Sequence, residues 1–155
     1  MEEKVIKQMN THRPQLLSML AILSFIGSGL SLFSNITTLL FYNTLVNLDI
    51  SELTLLYPNM FPEDVLQSSL FVIEKAGRLF FVVSALAYMV SLYGVYKMWK
   101  LQKDGLHYYA ISQLIVLLLP LIFVSTQMSV LPGLLLTTLF ILLYYRSFKL
   151  MEDEA

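Results

Sequence analysis

Between Asp104 and Arg146 the chain runs for 41 residues without a charged side chain. As one straight helix that stretch would reach about 60 Å, at roughly 1.5 Å per residue. The hydrocarbon core of a bilayer is only about 30 Å thick, so the stretch has to fold back and cross twice. Two shorter charge-free stretches, Pro14 to Leu48 and Leu79 to Tyr96, each suffice for one crossing. Four spans are therefore predicted, at residues 16–40, 79–97, 106–125 and 131–147. The expected fold is all-α: one integral membrane four-helix bundle with a longer outer hairpin between helices 1 and 2.

The composition agrees, at 57% hydrophobic with a mean hydropathy of +0.69, well beyond an ordinary soluble domain. In 155 residues, four spans leave room for short loops and one larger connection. A net charge of −1 excludes the basic footprint of a nucleic-acid-binding protein. The absence of Cys excludes disulfides and thiolate sites, and disfavours the four-span animal proteins with disulfide-braced loops. The first apolar stretch far exceeds the core of a cleaved signal peptide, so it reads as a retained signal anchor.

Orientation follows from Lys and Arg. Lys4, Lys7 and Arg13 precede span one, Lys97, Lys100 and Lys103 separate spans two and three, and Arg146 and Lys149 follow span four. These are eight of the ten basic residues, all on one side of a four-span chain, and the positive-inside rule makes that side and both termini cytoplasmic. Lys75 and Arg78 are the exceptions. Glu74 precedes Arg78 by four residues, the favourable orientation for a helical ion pair.

The only sizeable loop, an extracytoplasmic cap over residues 47–70, carries Asp49, Glu52 and the apolar Leu53, Leu55, Leu56, Tyr57 and Phe61. Pro62, Glu63 and Asp64 suit the first turn of a helix, so span two is expected to begin outside the membrane. Pro120 is expected to sit within span three, because splitting the chain there would leave too short a crossing. Tyr93, Tyr96, Trp99, Tyr108, Tyr109, Tyr144 and Tyr145 form a cytoplasmic aromatic belt.

Within span one, Ser24, Ser28, Ser31, Asn35, Thr38 and Tyr42 recur in alternating steps of four and three, on one helix face, with Gly27 beside them. Span two offers Gly77, Ser84, Ala87, Ser91 and Gly94 at compatible spacing. Such stripes let helix backbones approach and hydroxyls bond across the contact, so a packing seam between spans one and two is expected. The functional alternative is a polar lining for a solute path, completed by Gln113 of span three. Asn35 and Gln113 are amides at depth, and each needs a partner inside the bundle.

No Asp, Glu, Lys, Arg or His lies near the middle of a span, where ion-coupled carriers keep one. The four-span small multidrug transporters depend on a Glu in span one that this chain lacks. His107 with Asp104 and Lys103 at the cytoplasmic face could hold a phosphate, although a lone interfacial His is more often filler. No paired carboxylates, metal-ligand spacing, phosphate loop or nucleophile motif is present, so neither catalysis nor a cofactor or metal is expected.

The segment Tyr96 to Tyr109, YKMWKLQKDGLHYY, resembles a hinge in small uncharacterised bacterial four-span membrane proteins. The resemblance covers about a tenth of the chain. It implies a bacterial cytoplasmic-membrane location and carries no activity or functional residues with it. The reading reached from sequence is a protein acting by binding, as an accessory, assembly or scaffolding subunit. Its expected partners are membrane lipid and another membrane or extracytoplasmic protein, or a second copy of itself. The cap, with Leu53, Leu56, Tyr57, Phe61, Glu74 and Arg78, is expected to carry that activity. A transporter or channel for a neutral or lipid-like solute is the first alternative and a lipid-modifying enzyme the second.

Overall fold

A computed structural model describes residues 15–49, 62–124 and 131–153. Every regular element among them is helical: α1 (Gln15–Leu40), α2 (Tyr42–Val46), α3 (Glu63–Trp99), α4 (Gly105–Phe123) and α5 (Leu131–Asp153). Four helices are long and apolar enough to cross a membrane, over Gln15–Leu40, Asp64–Trp99, Gly105–Phe123 and Leu131–Lys149. The chain is an all-helical membrane protein.

Local chemistry sets the boundaries. Pro62 occupies the N-cap of α3, and its fixed φ prepares the chain for the helical turn that Glu63 and Asp64 begin. At the other end of α3, Leu101 N–H bonds Met98 O (2.9 Å) and Gln102 N–H bonds Lys97 O (3.0 Å). That pair of bonds is a Schellman cap, which needs a left-handed residue between them. Leu101 fills the position with φ 62°. The strain this costs a branched side chain is offset by packing, because Leu101 lies against the neighbouring apolar core. Pro120 sits inside α4, whose last turn closes with Val124 N–H on Pro120 O (2.9 Å).

Gly77 breaks α3. Its backbone, at φ 71° and ψ 168°, belongs to a region essentially reserved for glycine. The part beyond the break, residues 78–99, spans about 33 Å at 1.5 Å per residue, one bilayer crossing. A Cβ at Gly77 would meet open space, so strain alone opposes substitution. Gly77→Ala is expected to lower stability by about 1–3 kcal/mol in detergent unfolding. Gly27→Ala also enters open space, but on helical backbone, and should be neutral or stabilising by up to about 1 kcal/mol. Equal behaviour of the two variants would refute a glycine-specific bend at residue 77.

The break also changes the expected partner of Arg78. An i, i+4 pair needs continuous helix, and Gly77 interrupts it between Glu74 and Arg78. Arg78 instead donates to Asn43 Oδ1 and lies over the Tyr42 ring at 5.3 Å, tying α3 to α2.

Packing is uneven. α3 is the central helix, with α1 on one side and α4 on another, and α5 is lightly attached to α1 and α4. At the end holding the α3–α4 turn, Leu17, Leu20, Ala21, Val95, Met98, Tyr109, Tyr144 and Phe148 form the larger core. At the end holding α2, Ala76, Phe81 and Val124 form a smaller one, with Phe80 and Phe123 packed edge to face at 5.9 Å. Leu39 packs against this second core. α3 and α4 approach backbone to backbone where Gly94 meets Gly105. Gly94 therefore faces α4 and not α1.

Candidate functional site

The serine stripe of α1 lies where three helices meet. Ser28 Oγ and Ser91 Oγ are 2.9 Å apart between α1 and α3, and Gln113 Nε2 donates to Ser91 Oγ at 3.0 Å from α4. Ser91 is fully buried, and Ser28 and Ser84 nearly so. Tyr144 Oη donates to Ser24 Oγ at 2.9 Å, which brings α5 into the same polar layer. Such bonds are favoured because lipid offers none in exchange. No buried side-chain polar atom among the described residues lacks a partner.

The same residues wall a cleft of about 420 Å³. Ser24, Gly27, Ser28 and Ser31 of α1 form one side, and Leu136 and Phe140 of α5 the other. Tyr88 of α3 and Tyr109 and Gln113 of α4 also line it. Among the described residues, no carboxylate, ammonium, guanidinium or imidazole lines the cleft. The light attachment of α5 explains why it exists: Leu131 to Leu136 are all exposed, whereas Tyr144, Ser147 and Phe148 are buried. The helix is anchored near its C-terminal end and stands clear of α1 above that anchor.

The remaining sequence-derived residues are placed as follows. Asn35 Nδ2 donates to Ser31 O at 2.7 Å on its own helix, so that N–H is satisfied without crossing to a neighbour. Thr38 is half-buried on α1. Gly27 meets nothing within 4 Å of an added Cβ, so it lies on the open cleft and not in a close helix contact. Glu74 is exposed beside a smaller groove of about 270 Å³ formed with Val46, Leu48, Gln67, Leu70 and Phe71. Leu53, Leu56, Tyr57 and Phe61 lie outside the described residues. His107 is exposed, and no cluster of three metal-ligating side chains occurs among the described residues.

Three tyrosines belong to the site without being marked by the small-residue stripes. Tyr109 and Tyr144 stack edge to face at 5.5 Å in the core, while their neighbours Tyr108 and Tyr145 are exposed. Consecutive helical residues point about 100° apart, so an adjacent pair puts one ring inward and one toward the membrane surface. Tyr88 gave a fainter signal. It is one step from Ala87, within the run that supplies the buried Ser84 and Ser91.

No protein-family model, curated protein or solved structure matches this chain.

Proposed function

We propose that the chain is a four-helix bundle of a bacterial cytoplasmic membrane that acts by binding an apolar partner within the plane of the bilayer. In this reading its outer hairpin, between the first two spans, is the longer one, and both termini are cytoplasmic. It works without catalysis, as an accessory, assembly or scaffolding subunit. The observation that carries the reading is the uncharged cleft beside α5, polar on its inner wall and apolar at its rim. A ligand site of about 300–1,000 Å³, mostly apolar with a few placed polar groups, has this character. The basic-residue distribution supports the orientation, and the Tyr96–Tyr109 resemblance supports the bacterial membrane.

Transport of a neutral solute is the second reading, favoured by the same polar wall. Phe80, Phe81 and Phe123 pack together at the α2 end, outside the cleft lining. Proton- or sodium-driven flux in liposomes would replace the binding reading with a carrier.

Two measurements test the proposal. In this Cys-free chain, Thr54→Cys should be blocked by an impermeant thiol reagent on intact cells and Gln102→Cys should not. The reverse pattern overturns the orientation. A photo-crosslinking residue at Leu136, on the rim of the cleft, should capture a discrete lipid or protein adduct in native membranes. Failure to capture either removes the binding reading.

A further inference from the structure

On that binding reading, we propose that the cleft takes a neutral lipid whose polar end is an uncharged hydroxyl beside ester carbonyls, as in a diacylglycerol. Two groups on its wall have hydrogen-bonding capacity to spare. The Tyr88 hydroxyl has no hydrogen-bond partner among the described residues, and Gln113 spends one N–H on Ser91. A phenol both donates and accepts, and an amide retains a carbonyl and a second N–H. Hydrocarbon offers neither group a partner. A ligand hydroxyl meets both needs, and an ester carbonyl can accept the remaining donor.

Depth decides against a charged headgroup. Gln113 lies five residues beyond Tyr108 of the aromatic belt, about 7 Å further along the helix axis. Bringing a phosphate to that level without a counter-charge is costly, and the described residues of the cleft wall supply none. The nearest belt cation on this hairpin, Lys97, sits over the rings of Tyr93 at 5.5 Å and Tyr108 at 4.9 Å. A phospholipid head would be held there, at the interface. A neutral head can descend past it, with its acyl chains leaving the cleft across the exposed Leu23, Ile26 and Leu136.

The test uses the purified full chain in phosphatidylcholine nanodiscs holding a trace of diacylglycerol with a diazirine in one acyl chain. A phosphatidate bearing the same chain is the charged comparison. Diacylglycerol should label α1 or α5 cleft residues about fivefold or more over phosphatidate, whose charge has no partner at that depth, and excess dioleoylglycerol should compete it away. The Tyr88→Phe, Gln113→Leu double variant should lose about fivefold in diacylglycerol labelling, as expected for about one kcal/mol of hydrogen bonding, while phosphatidate labelling stays unchanged. Should the double variant fail to fold, Tyr88→Phe alone removes only an unpartnered hydroxyl and should reduce labelling about threefold. Equal labelling by both lipids, or labelling indifferent to Tyr88→Phe, overturns the proposal. If the Leu136 cross-linker captures only a protein, the binding reading stands and the neutral lipid falls; if it captures nothing, both fall.

Discussion

Gly105→Ala is expected to be among the most damaging single changes this protein can suffer. A Cβ there would lie 2.5 Å from Gly94 O, 2.7 Å from Met98 N and 2.8 Å from Lys97 Cβ. At Gly94 the obstacles are Tyr109 N at 2.7 Å and Gly105 O at 2.8 Å. Most of these atoms are backbone, which cannot rotate aside as a side-chain tip would. α3 and α4 would have to separate, and the contacts grouped around this approach would loosen with them. Those include the Tyr93–Tyr108 pair at 5.4 Å and the buried Val95 and Met98. The cost is expected to reach about 3 kcal/mol, the upper end of ordinary overpacking. Gly29→Ala provides the control, since its added Cβ meets nothing within 4 Å. Matching midpoints for the two variants in detergent denaturation would show that α3 and α4 do not touch at Gly94 and Gly105.

The helices were legible in the sequence because a bilayer crossing imposes a length, and length is read directly from charge-free runs. Residues 16–40 were expected as span one and α1 occupies Gln15–Leu40; residues 106–125 were expected as span three and α4 occupies Gly105–Phe123. The neighbours of each face were harder to read. Small residues mark where a helix can be approached closely but not by which helix, so Gly94 was assigned to α1 and meets α4. Gly77 looked like another packing residue because its spacing is helical, yet its backbone is not. That single torsion also undoes the Glu74–Arg78 pairing, which depended on a helix continuing through residue 77. Leu39 stands one step off the serine and threonine stripe, yet it packs against Val124, Phe81 and their neighbours. The polar wall of the cleft is legible as a lining of Ser28, Ser31 and Gln113, but its opening is not, because it depends on how far α5 stands from α1, a distance that no local pattern encodes.

The serine layer leads to the second large effect. Ser91 is fully buried, and its hydroxyl is shared by Ser28 of α1 and Gln113 of α4. Ser91→Ala removes one partner from each. Interhelical bonds in membranes average roughly 0.6 kcal/mol, so the two together should cost about 1 kcal/mol. Ser91→Leu removes the same bonds and forces three more carbon atoms into the α1–α3–α4 junction, which overpacking puts at about 1–3 kcal/mol in addition. The difference between the variants separates the polar contribution from the steric one. A double-mutant cycle of Ser28→Ala with Ser91→Ala should then show favourable coupling, since neither hydroxyl can bond the other once one is gone. The same Leu replacement at the exposed Ser69, whose hydroxyl bonds only Val65 O of its own helix at 2.7 Å, should be nearly silent. Tolerance of Ser91→Leu together with zero coupling would mean that α1, α3 and α4 do not converge on Ser91. The inner wall of the cleft, which uses the same Ser28 and Gln113, would then have to be placed elsewhere.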